Sequence, residues 1–277
     1  MIQQESVPSV LETAATGEIA DIYSDIRTTL NTSVVNLIWR NLATMPGALP
    51  WAWSTVRPLY LGAAAAHAEA ARRTLALPDA PAFSTALLSA AGIEPGALTN
   101  ILKVLDSYHH TNALALVALS ALLEHYDPTS GEPVQPWGTA PGAAQTELPA
   151  LPPMANLSAE VQRLIEELNG FGEDTDAYLI ASMYRHLAYW PPYLALVRTM
   201  LAPLQADGSL NALTRSARAL GRAHGRVLSR QLAAARSPDS LQQALAACRL
   251  FVEHPIARMT GICAIIRRAT PPHPGDA

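Results

Sequence analysis

Charge is the scarcest commodity in this 277-residue chain: only 15% of it is Asp, Glu, Lys or Arg, well under the roughly 25% of ordinary soluble domains. Lysine is almost missing, with Lys103 the one example beside 18 arginines, and no basic run exceeds two residues. A chain that tracks phosphates needs a clustered basic stripe, so this composition disfavours nucleic acid as a partner. Two cysteines, Cys248 and Cys263, are too few for a disulfide framework and too far apart for a CxxC redox pair; they read as small buried apolar residues. Long apolar runs are missing too: the longest helical one, Ala113 to Leu123, is too short to span a bilayer. The start, Met1-Ile2-Gln3-Gln4-Glu5, has neither a positive region nor an apolar one that would mark secretion, so the expected location is cytoplasmic.

Several chemistries are missing with equal clarity. The eight histidines form no His-Glu-x-x-His, no Glu-x-x-His and no Cys/His cluster, so no metal site is expected. Neither a Walker loop, a Rossmann glycine turn nor a Gly-x-Ser-x-Gly elbow occurs. Nucleotide, nicotinamide and flavin cofactors are therefore not expected.

What the chain does have is apolar surface and helical spacing. Hydrophobic residues make up 49% of it and 50 residues are alanine, the best helix former. Ile19, Ile22, Tyr23, Ile26 and Leu30 share one helix face. Val34, Val35, Ile38, Trp39 and Leu42 repeat the pattern after Thr32-Ser33, a candidate N-cap. Val161, Leu164, Ile165 and Leu168 form a further stripe closed by Asn169-Gly170. No sustained strand alternation occurs, and the expected fold class is all-α.

The span from Asp127 to Pro153 holds seven prolines and cannot continue a helix; it reads as a semi-rigid, extended connector. On either side the chain repeats itself. At an offset of 145, Arg40, Leu42, Ala43, Pro46, Leu49, Pro58 and Leu59 fall on Arg185, Leu187, Ala188, Pro191, Leu194, Pro203 and Leu204. Those seven identities lie within 26 positions, where composition alone gives about two, and a duplicated helical unit is the economical explanation. The same shift carries Leu105 onto Leu250 and His109 onto His254. The expected organisation is a first repeat over 1–126, a linker over 127–156 and a second repeat over 157–277, packed as one unit with a cavity at the seam.

Within that repeated core, Arg40 and Arg185 occupy equivalent places in apolar surroundings. They read either as a fork for a carboxylate or as structural ties to helix-end carbonyls. Asn112 reads as the N-cap of a helix running to Leu123, or as a polar group facing the cavity.

The duplicated helix ending in Leu-Ala-x-x-Pro (Leu42-Ala43-Thr44-Met45-Pro46, then Leu187-Ala188-Tyr189-Trp190-Pro191), the stretch Gly17-Glu18-Ile19-Ala20-Asp21-Ile22-Tyr23-Ser24-Asp25-Ile26 and the placing of Asn112 together resemble the group I 2-haloacid dehalogenases, which act on both D and L substrates. The resemblance runs over nearly the whole chain. It implies an all-helical pair of pseudo-repeats, a homodimer, no metal and no organic cofactor. It also implies direct attack of an aspartate-activated water on the halogen-bearing carbon, with Asn112 helping to hold water and substrate. Val34, Ile38, Trp39, Ser182, Met183, Tyr184, Phe251 and Pro255 are the expected substrate lining.

The family reads Ala-Ser-Asp-aromatic where this chain has Ala181-Ser182-Met183-Tyr184. Met183 thus stands at the place of the aspartate, and a thioether cannot accept a proton near neutral pH. The family's tryptophan ahead of its first helix is replaced by Val34. His186, one helical turn from Met183, is the leading substitute base, with Asp176 second. The expected function is a dehalogenase-like, cofactor-independent enzyme acting on a small organic (2-halo) acid. The alternative is a non-catalytic relative that binds a small apolar acid.

Overall fold

A computed structural model describes residues 7–132, 134–136, 147–173, 179–233 and 235–272. Among these the chain forms helices and no strand, as the apolar spacing requires. The α-helices are α1 (Gly17–Leu30), α2 (Leu37–Leu42), α3 (Ala48–Tyr60), α4 (Ala64–Thr74), α5 (Thr85–Ala90), α6 (Pro95–Tyr126), α7 (Ala159–Asn169), α8 (Ser182–Leu187), α9 (Pro191–Ala206), α10 (Ser209–Leu228), α11 (Leu241–Phe251) and α12 (Ala257–Ala269). A π-helical turn over Val252–Ile256, containing Pro255, joins α11 to α12.

The centre of the molecule is α6. Its first turn accepts Pro95 because the missing N–H has no partner there anyway, and from Thr111 to Glu124 every residue is buried. Helices α10 and α12 pack along it, with α3, α4 and α8 also against it. The approach of α10 depends on glycine. A Cβ added at Gly221 would stand 2.8 Å from Leu116 Cδ1, and one at Gly225 would stand 2.8 Å from the Ser120 carbonyl carbon. Both positions must stay bare for the two helices to meet. No helix of the described residues is long and apolar enough to cross a membrane.

Element boundaries recur at a fixed shift. α2 and α8 have six residues each and begin 145 apart; α4 and α10 also begin 145 apart; Pro58 inside α3 and Pro203 inside α9 keep the same interval. The likeness stops at α6, which is continuous, whereas the stretch 145 residues further on is broken by the π turn at Pro255, where the ring removes a donor from the helical ladder.

Two local expectations are corrected. Asn112 does not cap a helix: α6 begins at Pro95 and Asn112 lies in its interior, 7% exposed, because nothing between Ala97 and Tyr126 breaks the ladder. Thr32-Ser33 does not open α2, which starts at Leu37. The Glu12 carboxylate accepts the Val35 N–H at 2.9 Å, and the Thr32 hydroxyl accepts that of Val34 at 3.4 Å, holding both valines outside the helix.

Candidate functional site

The side chains singled out by sequence lie on α2, α6, α8 and the α11–π segment, with Val34 in the loop before α2. α8 owes its start to a side chain from α7: the Asn169 carboxamide oxygen accepts the N–H of Ala181 at 2.9 Å. Its residues Met183, Tyr184, Arg185, His186 and Leu187 are all buried. Polar groups carried into such a place need partners, and the described part of the proline-rich span supplies them. Arg185 donates from Nε (3.0 Å) and Nη2 (2.9 Å) to the Pro152 carbonyl, and just past the helix the exposed Tyr189 donates its hydroxyl to the Ala150 carbonyl at 2.8 Å. Residues 149–152 are therefore laid against α8.

His186 is fully buried with both ring nitrogens engaged. Nε2 lies 3.0 Å from the Pro149 carbonyl, which can only accept, so Nε2 carries the proton; Nδ1 then accepts the Tyr108 hydroxyl at 2.8 Å. Burial pushes its pKa down to about 4, the carbonyl bond pulling the other way and the Arg185 charge lowering it further. It is a neutral imidazole at pH 7. Asp176, the second substitute base, lies outside the described residues.

Met183, 1% exposed, has this polar group on its own helix turn and Tyr184 beside it. Tyr108 on α6 ties the neighbourhood together. It meets His186, hydrogen-bonds Ser182, and feels the charges of both Arg185 and Arg40 on its phenol, whose pKa burial raises. The two equivalent arginines thus act on one hydroxyl. On α2, Ile38 and Trp39 are buried, with Trp39 edge-on to Trp53 at 5.4 Å. α11, which ends at Phe251, packs against α2, and the π turn that carries Pro255 packs against α6. Phe251 is buried, and Pro255, Val34 and Ser182 are half-buried. None of the expected site residues lines the polar groove of about 610 Å³ bounded by Ser24, Arg27, Thr28, Thr32, Ser33 and Glu147.

Three expected site residues carry buried polar atoms with no hydrogen-bond partner among the described residues: Trp39 Nε1, Asn112 Nδ2 and the Tyr184 hydroxyl. Sequence reasoning missed Tyr108, Asn169 and Arg258. Arg258 had a readable signal, being the one charged residue between Ile256 and Ile266. Tyr108 and Asn169 had none, because their roles come from contacts far away in the chain.

No family model matches the chain. Two curated relatives do. It is 28% identical over 240 residues to a configuration-inverting 2-haloacid dehalogenase of Pseudomonas sp. (strain 113), covering 80% of this chain and 75% of that protein. It is 29% identical over 218 residues to a protein of the same description from Alcaligenes xylosoxydans xylosoxydans, covering 75% and 73%. Over three quarters of its length or more the chain is thus similar to configuration-inverting 2-haloacid dehalogenases. Solved 2-haloacid dehalogenase structures share its fold. A D-2-haloacid dehalogenase mutant in complex with D-2-CPA superposes with a TM-score of 0.67 at 17% identity over 95% of this chain and 94% of that one. A second mutant structure gives 0.69 at 17% identity over 95% and 96%. The dehalogenase fold thus agrees with the all-helical reading over nearly the full length.

Proposed function

We propose that this chain is a dehalogenase-like protein that takes a small organic (2-halo) acid in the crevice between two duplicated helical halves, without metal or organic cofactor. The observation that carries this reading is the similarity to configuration-inverting 2-haloacid dehalogenases over three quarters of the chain or more. The duplication is supported by the shared 145-residue offset of helix starts and of Pro58 with Pro203. In this reading Val34, Ile38, Trp39, Met183, Phe251 and Pro255 give an apolar lining, Ser182 and Tyr184 add hydroxyls, and Asn112 on α6 offers its carboxamide to water or substrate. Water attacks C2 and halide leaves with its bonding electrons. His186 serves as base only by releasing Tyr108 or Pro149.

That last condition favours a second reading. A base needs a lone pair facing the water it activates. The described residues at Met183 give a thioether, and a neutral imidazole with both nitrogens taken. A relative that binds a small apolar acid without turning it over fits this chemistry.

Halide release from D- and L-2-chloropropionate separates the two. Release by the wild type, abolished in both His186→Ala and the better-tolerated His186→Asn while the acid still binds, establishes the enzyme with that base. Release confined to Met183→Asp, with calorimetric binding of the acid by the wild type, establishes the binder. Absence of both binding and release rejects both. Self-association, which the family likeness also suggests, is read from the mass in solution.

A further inference from the structure

Ile38, Trp39, Met183 and Tyr184 are each 1% exposed or less, and none of them lines the polar groove. A ligand reaches such residues only if something moves, and the contacts around α8 differ in how firmly they hold. From inside, α8 is fixed by a buried network. Arg258 on α12 donates to the Asn169 main-chain carbonyl, to the Asn169 carboxamide oxygen at 2.9 Å and to the Leu179 carbonyl at 3.3 Å, all neutral acceptors. That same carboxamide oxygen holds the first turn of α8. Breaking these ties would strand a buried cation, which is costly.

From outside, residues 148–152 bridge the two sides of the seam. The Leu148 N–H donates to Ser33 Oγ at 3.0 Å, beside Val34 ahead of α2. The carbonyls of Pro149, Ala150 and Pro152 accept from His186, Tyr189 and Arg185 on or just past α8. Leu148 is buried in the apolar core, while Pro149 and Ala150 are exposed. The two prolines have no N–H to give, and among the described residues no main-chain bond ties 148–152 to another segment. Side chains alone therefore hold this segment, with one leucine as its apolar anchor. The grips at Ser33, on the wall of the groove, and at Tyr189, 48% exposed, lie within reach of water, which replaces a lost partner at small cost. Glu147, next to Leu148, is a wall of the same groove.

We infer that residues 148–152 are a strap that gates the seam: it lifts from Ser33 and α8, draws Leu148 out and opens the crevice onto the polar groove, admitting a small organic acid. What passes rests on the reading of the chain as a binder of such acids; whether the strap opens does not.

The full chain carrying Met183→Cys is treated with a small anionic methanethiosulfonate, alone and with Ser33→Ala or Tyr189→Phe added. Labelling of the new thiol, located by mass spectrometry, is expected to run ahead of that of Cys248 and Cys263, which are fully buried on α11 and α12 and react only on wider unfolding. Each added variant is expected to speed it on the order of fivefold, as loss of one hydrogen bond implies for the open population. Without Met183→Cys, stopped-flow tryptophan fluorescence is expected to show 2-chloropropionate associating and dissociating about fivefold faster in either variant at an unchanged Kd, because the strap is the route and not the site. Labelling at 183 that neither variant speeds, or three thiols that react together, overturns the strap. Acid that binds at the wild-type rate in both variants overturns it too. Absence of acid binding by the wild type, with labelling as expected, overturns the small-acid reading and upholds the strap.

Discussion

α2 and α8 do the same mechanical work with different side chains. Each is a six-residue helix covered by an extended, proline-containing segment, and each grips that segment through its fifth residue. On α2 Asn41 donates from Nδ2 to the Pro8 carbonyl at 2.8 Å; on α8 His186, at the same place in the helix, donates from Nε2 to the Pro149 carbonyl at 3.0 Å. The imidazole adds what the amide cannot, a second bond reaching to Tyr108 on α6. It also brings a titratable group. The comparison teaches that His186 has a structural counterpart, so its presence one turn from Met183 is explained without chemistry.

Acid should break the symmetry most. Burial holds His186, His109 on α6 and His224 on α10 near a pKa of about 4, against about 6.5 in an unfolded chain. The unfolded state binds more protons, so stability is complete above pH 6.5 and is lost as the pH falls through 4. Each histidine contributes on the order of 3 kcal/mol across that window. Denaturant unfolding measured from pH 7.5 to 4 should show the loss, and His186→Asn should reduce the slope by about one proton. An unchanged slope would mean that another group carries the sensitivity.

Next in size come changes at the seam and at the grip. Gly225→Val on α10 drives a side chain into the Ser120 backbone on α6 and should cost about 3 kcal/mol, since backbone cannot yield as a rotamer can. His186→Ala leaves the Tyr108 hydroxyl and the Pro149 carbonyl without partners and empties a buried volume, for about 3 kcal/mol. His186→Asn keeps the carbonyl bond in the way Asn41 does and should cost only about 1 kcal/mol. Urea midpoints at pH 7.5 check all three; equal losses in the two His186 variants would break the analogy with Asn41.

The helices were legible because their signal is local. The stripe Tyr23, Ile26 and Leu30 is buried on α1 as its spacing predicts, and Gly170 follows the last residue of α7. The likeness to 2-haloacid dehalogenases was legible from short motifs whose order mattered more than their content. The capping alternative for Asn112 fails because a cap and a buried mid-helix amide look alike until the upstream turns, Pro95 onward, are known to be helical. The surroundings of His186 were not legible at all. Its partners lie 37 and 78 residues away in sequence, and nothing in the spacing of Pro149 or Tyr108 announces them. Arg258 lay between these cases: a lone charge in an apolar helix is visible in sequence, but the neutrality of its acceptors is a tertiary fact.

The smallest effect is also the sharpest on the central comparison. Asn41→Ala removes one bond to the Pro8 carbonyl and should cost about 1 kcal/mol, well below His186→Ala, because only one partner is left and less volume is emptied. The two grips share no side chain and hold different segments to different helices. Their losses in the double variant should then add within about 0.5 kcal/mol. A larger departure would show that the covers over α2 and α8 are coupled through the arginines that both act on Tyr108, and the halves would have to be described as one cooperative seam rather than two parallel solutions.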